Sequence, residues 1–239
     1  EVPPPLLTVN PEAFFFSQLN PGDIVNTSAG EIAPGLRVPD GQSLVLLGGN
    51  VVLDGSLSPL PGGGGVSALG GRIELGGLRE PGVVGLNVEG DRLALEFPDD
   101  ARRADVSVAN GARVNVIGNN GGDIVVTSRN VEILNNGSLF AGIGVGLGGV
   151  ENRSGGIILD ATGDVTIAAS SSIVNAIVGG IGNTGEIRIV ARNLNLVDGS
   201  IISTFGAGLG NVGDVVIAVA DTINISGLGD TQSPSGIFS

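Results

Sequence analysis

A repeat in the second half of the chain constrains the fold more than any other feature of the sequence. A glycine that precedes an Ile- or Val-rich segment recurs at Gly122, Gly156, Gly185 and Gly213, at intervals of 34, 29 and 28 residues. One repeat of this length cannot bury an apolar face alone, whereas stacked copies share a continuous core. The repeat therefore predicts a solenoid.

Each repeat contains three short strands. In the first two, apolar residues alternate with period two and would point to one side of the strand. These inward candidates are Ile124/Val126/Ser128, Ile157/Leu159/Ala161, Ile187/Ile189/Ala191 and Val215/Ile217/Val219 in the first strand, then Val131/Ile133, Val165/Ile167, Leu194/Leu196 and Ile223/Ile225 in the second. A polar turn at Asn136-Gly137, Ser170-Ser171 or Asp198-Gly199 precedes a third strand that begins at Ser138, Ser172 or Ser200.

Three strands per repeat predict an all-β fold, a right-handed parallel β-helix (β-solenoid) with about three short strands per coil. Backbone hydrogen bonds would join coils about 4.8 Å apart. A helical solenoid would need a period of 3.6 residues, and a propeller blade would need a fourth, antiparallel strand. Neither pattern occurs in these repeats.

The regularity of the repeat divides the chain into three parts. Residues 1–35, with a Pro cluster and three consecutive Phe residues, are interpreted as a linker or a wrapped edge segment. Residues 36–120 predict irregular coils with loop excursions, two of them at 59–65 and 97–100, and residues 121–239 predict regular coils. Because residues 235–239 resemble the start of the third strand at 200–203, we expect the native chain to continue beyond its last residue.

Composition excludes several kinds of chemistry. The chain has no Cys and no His, which removes thiolate and imidazole ligands, nucleophiles and acid–base groups. The formal net charge of −13 disfavours nucleic acid as a partner. The sequence contains no apolar run of about 18 residues, so no membrane span is predicted. The first residues do not have the pattern of a signal peptide. Only hard oxygen ligands remain for a metal such as calcium.

A set of short blocks in a fixed order resembles the filamentous haemagglutinin family, and more closely the large two-partner-secretion exoproteins common in cyanobacteria. The blocks are Asn10-Pro11-Glu12-Ala13-Phe14, Val38-Pro39-Asp40-Gly41-Gln42-Ser43-Leu44, Gly48-Gly49-Asn50-Val51, residues 70–78 (Gly70 to Leu78), Arg103-Ala104-Asp105-Val106-Ser107 and Ala161-Thr162-Gly163. The resemblance implies export through a dedicated outer-membrane transporter, folding outside the cell, and a role in adhesion or the surface matrix.

One part of that family's pattern is missing. Its secretion domain carries an Asn-Pro-Asn-Gly type motif, and Asn20-Pro21-Gly22-Asp23 differs from it. We therefore expect this chain to be part of the passenger region, the exported part of the protein that follows the secretion domain. The transporter would then be a partner of the full-length protein only.

Catalysis is not expected. Polysaccharide lyases and hydrolases with this fold need clustered carboxylates. The outward positions of the predicted first strands offer one Asp, Asp160, and three Arg residues, and the Asp99-Asp100 pair is interpreted as a solvated loop. The chain is predicted not to be an enzyme and to need no cofactor.

Three weak metal candidates each lie directly after a repeat glycine. Asp123, Glu186 and Asp214 could stack as a carboxylate column that binds calcium. The alternative is that they are exposed corner charges that favour solubility, because like charges about 4.8 Å apart repel one another.

The first strands also predict an outward apolar stripe. Val125, Ile158 and Val216 would stack on the exterior, with Arg188 interrupting them and Val190 beside them. Either an excursion such as 142–153 covers this stripe, or it is a lateral interface for another chain. Inside the coils, Asn175 aligns with Ala141 and Ser203 and is expected to hydrogen-bond to backbone or to a neighbouring Ser.

The leading hypothesis is a structural and adhesive rod on the cell surface or in the extracellular matrix. The alternatives are a glycan-binding module and a subunit of a self-assembling filament, with host or matrix glycans and proteins as further partners. The absence of Trp and Tyr weakens the glycan hypothesis, because these side chains are the usual stacking platforms for sugars. A polysaccharide-degrading enzyme is the least favoured reading.

Overall fold

The structure is a computed structural model that describes residues 12–29, 35–58, 63–229 and 232–239. These residues contain 22 β-strands and no helix. The described part of the chain therefore has no helix that could cross a membrane.

The parallel strands form three faces, and seven successive coils each contribute to them. Face A consists of β4 (Ser43–Gly48), β7 (Arg72–Gly77), β12 (Asp123–Ser128), β16 (Ile157–Ala161) and the first halves of β19 (Ile187–Val197) and β21 (Val215–Ser226). Face B consists of β2 (Ile24–Asn26), β5 (Val51–Asp54), β10 (Val106–Ala109), β13 (Val131–Leu134), β17 (Asp164–Ala168) and the second halves of β19 and β21. Because β19 and β21 pass through the corner, faces A and B form one continuous sheet.

Face C forms a separate sheet. Its strands are β3 (Leu36–Arg37), β6 (Val66–Ser67), β11 (Arg113–Asn115), β14 (Ser138–Ile143), β18 (Ser172–Asn183), β20 (Ile201–Leu209) and β22 (Gly236–Phe238). A further strand, β15 (Gly148–Arg153), pairs with the end of β18. Six coils contribute one strand to each of the three faces, and the first described coil contributes to faces B and C. This arrangement confirms the predicted parallel β-helix with three strands per coil.

Three antiparallel strands stand outside the coils. They are β1 (Ala13–Phe16), β8 (Gly82–Glu89) and β9 (Arg92–Glu96), in the order β1-β8-β9. The β8–β9 hairpin belongs to an excursion, residues 78–103, that leaves the third coil after β7 and returns before β10. Separate strand candidates at 83–88 and 93–95 were expected from the sequence, but the antiparallel hairpin was not.

The core fills the space between the three faces. The inward residues predicted for β12, β13, β16, β17 and β19 are all buried, and Ile124, Ile157 and Ile187 lie in register in neighbouring coils. Burying an Ile or Leu side chain contributes about 1.5–3 kcal/mol. In the last described coil Ile223 and Ile225 remain about half exposed, since β21 pairs only with β19 within the described residues.

The corner between faces B and C is built from two consecutive residues in the left-handed region. The pairs are Asn110-Gly111, Asn135-Asn136, Ala169-Ser170 and Asp198-Gly199. A polar turn was predicted at each of the last three corners, but in two of them the left-handed pair begins one residue earlier than the predicted turn. Asn, Asp and Gly tolerate this conformation best, so Ala169 and Ser170 are the unusual members.

Candidate functional site

The excursion lies against face A and is the largest departure from a plain coil. The Ser43 Oγ atom donates to the carbonyl oxygen of Asp91 at 2.7 Å and accepts the backbone N–H of Leu93 at 3.1 Å. At its base the ring of Phe97 lies against Gly76, where an added Cβ atom would come within 2.7 Å of the ring. These contacts join the hairpin to β4 and β7.

An ion-pair network lies beneath the hairpin. Arg72 Nη2 is 2.6 Å from Glu74 Oε1, and Arg72 Nη1 is 3.1 Å from Asp123 Oδ2. Arg92, from the hairpin, pairs with the same Asp123 oxygen. Two arginines and two carboxylates therefore connect β7, β9 and β12.

Glu74 is the buried member of this network, with a side chain only 1% exposed. Burial raises the pKa of Glu74 from 4.5 to about 7, and the charge of Asp123 adds to the rise. Arg72 and the backbone N–H of Leu95 lower the pKa of Glu74, but by less than burial raises it. The hairpin thus covers a carboxyl group that titrates near neutral pH.

A second ion pair holds the returning leg of the excursion. Arg103 Nη1 is 3.0 Å from Asp160 Oδ2, and its guanidinium lies 5.9 Å from the centre of the Phe97 ring. This contact reaches β16, two coils beyond β7. The excursion is therefore fixed to face A at Ser43, Asp123 and Asp160.

Two clefts adjoin the base of the excursion, with volumes of about 710 and 460 Å³. Asn20, Arg79 and Arg129 line both. Arg129 pairs with Asp105, and this bond lowers the pKa of Asp105 and raises that of Arg129. Within the described residues the exposed side chains of Arg79 and Arg102 form no ion pair, so they are available to an anionic group. The acidic residues Glu80, Asp99 and Asp100 line the same cleft.

The weak metal candidates occupy one register position, where Glu186 and Asp214 lie in neighbouring coils but Gly156 interrupts the column between Asp123 and Glu186. The register aligns Asp123 with Gly156 and Gly156 with Glu186, so an entire coil separates the two carboxylates. Asp123 is also engaged by Arg72, Arg92 and the backbone N–H of Gly156 at 3.0 Å. The described residues contain no group of three or more acidic side chains suited to a metal ion. Calcium binding itself stays a prediction.

The residues of the predicted lateral interface align as expected. Val125, Ile158, Arg188 and Val216 are successive register partners on face A, and Val190 lies two residues beyond Arg188 on the same side of β19. The four Val and Ile side chains are partly exposed and Arg188 is exposed. The segment 142–153, suggested as their cover, instead contributes β15, which pairs with β18 of face C. The ion pairs of Arg92 and Arg103 bring the excursion of residues 78–103 to the strands that carry Val125 and Ile158.

The predicted internal amide is confirmed. The Asn175 Nδ2 atom donates to the carbonyl oxygens of Gly155 at 3.0 Å and Gly185 at 2.8 Å, and Ser154 Oγ lies 3.2 Å from Asn175 Oδ1. Ala141 is its partner in the preceding coil, as expected. The expected partner in the following coil was wrong by one residue, since Asn175 aligns with Thr204 rather than Ser203.

Sequence reasoning missed Arg72 and Glu74 as special residues. The alternation of Ile73, Glu74 and Leu75 correctly puts Glu74 on the outer side of β7, where an acidic residue is ordinary. Its burial depends on a hairpin that closes over it from later in the chain. A period-two pattern carries no information about such a cover.

The fold and the docked excursion define a parallel β-helical protein with an antiparallel sheet attached to one face. The family model described as TPS secretion domain matches residues 2–126, which is more than half of the chain. The chain belongs to this family, that of secreted exoproteins of the two-partner-secretion, filamentous haemagglutinin type. No curated protein and no solved structure is significantly similar to the chain.

This match corrects one expectation. The chain was expected to follow the secretion domain and to contain none of it, because Asn20-Pro21-Gly22-Asp23 differs from the family motif. The secretion-domain model covers that segment and the whole excursion. The short motif was therefore the wrong criterion for the presence of a secretion domain. The match implies that a transporter is a partner of this chain itself during secretion.

Proposed function

We propose that this chain forms part of a non-catalytic extracellular rod that acts in adhesion or in the surface matrix after its export. The observation that carries the proposal is the uninterrupted core. Buried residues from Val51 to Ile202 belong to one hydrophobic cluster that runs through successive coils. A stack of this kind is stiff along its axis and presents three long sheet surfaces.

The polar groups of the excursion support a structural role. Glu74, Asp123, Asp105 and Asp160 are each engaged by an arginine, as expected of charges that hold segments together. We therefore assign Asp123 and Asp160, whose partners Arg92 and Arg103 belong to the excursion, to docking. The transporter is proposed to recognise the part of the chain that carries this excursion, residues 12–126.

Deletion of the gene from the producing bacterium tests the proposal. We expect the deletion strain to lose surface attachment or matrix cohesion, and the full-length natural protein to restore it when supplied on a plasmid. A matched plasmid that encodes the protein without its signal for export should fail to restore the phenotype. Unchanged attachment and matrix in the deletion strain would contradict the adhesive and structural role.

A glycan-binding role is the second candidate, and the two clefts favour it. Arg79 and Arg102 would bind a carboxylate or sulfate group on a sugar. A glycan array probed with the purified chain and with the Arg79→Ala/Arg102→Ala variant tests this role. Binding of anionic glycans by the wild type, lost in the variant, would support it, whereas equal signals from the two proteins would reject these clefts as the site.

A further inference from the structure

The corner of the β-helix beyond face C carries an exposed apolar surface. It is formed by the turn between β14 and β15, by β15, and by the end of β18. Val145 and Val150 are 76% and 77% exposed, and Leu147 and Ile181 are 40% and 37% exposed. We call these four side chains the apolar knob.

The apolar knob is held in a fixed conformation. The Gly146 backbone N–H donates to the Gly179 carbonyl at 3.1 Å, and the Ile181 N–H donates to the Leu147 carbonyl at 3.0 Å. The N–H of Gly148 donates to Asn119 Oδ1 at 2.7 Å. The exposed Val and Leu side chains therefore project from an ordered turn, so little conformational entropy would be lost on binding.

A groove of about 380 Å³ lies directly beside the knob. Leu69, Ile117 and Leu147 contribute its apolar lining, Gly70 and Gly118 also line it, and its polar lining comes from Asp40, Asn119 and Asn120. Leu147 belongs to both features. A protruding apolar group and an apolar groove thus share one surface.

The charge distribution indicates what this surface binds. The segments 133–150, 165–185 and 199–213 contain no charged residue, although 15% of the whole chain is charged. These segments supply the knob and face C in the fourth to sixth coils. The charged residues nearby balance one another, since Asp40 at the groove pairs with Arg37 and β15 carries both Glu151 and Arg153. Two copies of a protein with a net charge of −13 repel each other over most of their surfaces, and a surface without net charge allows close approach.

We propose that this surface binds a second copy of the chain, with the apolar knob of each copy filling the groove of the other. Such an arrangement is isologous, because the same surface serves both partners around a twofold axis. It differs from the lateral interface predicted on face A. It is also independent of transporter recognition and of the adhesive role.

Sedimentation velocity of the purified chain over a range of concentrations tests the proposal. We expect the wild type to form a dimer that becomes tighter as salt screens the net charge. The Val145→Asp/Val150→Asp variant should raise the dimer dissociation constant by about 100-fold or more, because it buries two charges in an apolar interface. Val25→Asp is the matched control, since Val25 is 61% exposed on face B, and it should dimerise like the wild type.

Three outcomes would overturn the proposal. The first is a wild-type protein that stays monomeric at every concentration and salt. The second is a double variant that dimerises as well as the wild type, and the third is an equal loss of dimer in the control. Circular dichroism of each variant should show the wild-type β-sheet spectrum, because all three substituted side chains are exposed.

Discussion

Asp105 lies directly beside Asn130 in the corner between faces A and B, and its carboxylate accepts the backbone N–H of Asn130 at 3.1 Å. The same relationship repeats through the corner, where each side-chain oxygen accepts a hydrogen bond from the next coil. The donor is a backbone N–H in every step except the last, in which Asn193 Nδ2 donates to Asp164 Oδ1 at 2.8 Å. The members of this ladder are Asp23, Asn50, Asp105, Asn130, Asp164 and Asn193. Carboxylate and amide alternate strictly, so successive carboxylates are two coils, or roughly 10 Å, apart.

Asn130→Asp tests the alternation. The new carboxylate could still accept the N–H of Asp164, so the main effect is repulsion from Asp105 and Asp164, each about 4.8 Å away. We expect the free energy of unfolding to fall by about 1–3 kcal/mol at pH 7 and by less near pH 4, where the carboxylates protonate. Urea denaturation followed by circular dichroism measures this change. Asn87→Asp, in the exposed hairpin, is the control, and an equal loss in both variants would contradict the role of alternation.

Glu74→Gln tests the buried carboxyl group. Because its pKa is about 7 in the folded state and 4.5 when unfolded, Glu74 favours the folded state at low pH, and this contribution is lost as pH rises from about 4.5 to 7. The loss amounts to as much as about 3 kcal/mol. We expect the variant to show a flatter dependence of unfolding free energy on pH over this window. Glu132→Gln, on the exposed side of β13, should retain the wild-type slope, and an unchanged slope in Glu74→Gln would refute the assignment.

Asn175→Ala tests the internal amide. The substitution removes the donor to the carbonyls of Gly155 and Gly185 and leaves a cavity in the core. We expect a loss of about 2–4 kcal/mol in the free energy of unfolding. Thermal and urea denaturation should both detect it. Asn87→Ala should change stability by less than about 0.5 kcal/mol, and a comparably small effect at Asn175 would mean that water replaces the amide.

Ala169→Asn tests the corner between faces B and C. Ala169 has a φ of 56°, in a region that Asn occupies at much lower cost, and Asn135 occupies the equivalent corner in the preceding coil. We expect the substitution to stabilise the fold by about 1 kcal/mol. Ala168→Asn, in the neighbouring extended strand, should give no gain. A destabilised Ala169→Asn variant would show that the corner has no room for the longer side chain.

Arg92→Ala tests the docking of the hairpin. Arg92 is more than half exposed, so its ion pair with Asp123 contributes at most about 1 kcal/mol to global stability. Local opening of β8 and β9 should nevertheless increase, with about fivefold faster hydrogen exchange of their backbone amides. Mass spectrometry of exchanged peptides measures this rate. Arg192→Ala is the control, and identical exchange in the two variants would show that Ser43 and Phe97 suffice for docking.

The sequence by itself determined the coil. Ile124, Val126 and their counterparts repeat at a coil-length interval with period two, and these local patterns define both the inward side and the stacking partner. The same regularity made the internal position of Asn175 predictable. Its partner Thr204 was missed by one residue because Ser200 and Ser203 offered an equally plausible alignment, and only backbone pairing distinguishes them.

The tertiary structure decided everything that depends on the excursion. Docking of the hairpin on Ser43, burial of Glu74 and capture of Asp123 by two arginines all require contacts between segments tens of residues apart. Periodicity is a property of one strand, whereas these contacts depend on how an irregular segment packs across several coils.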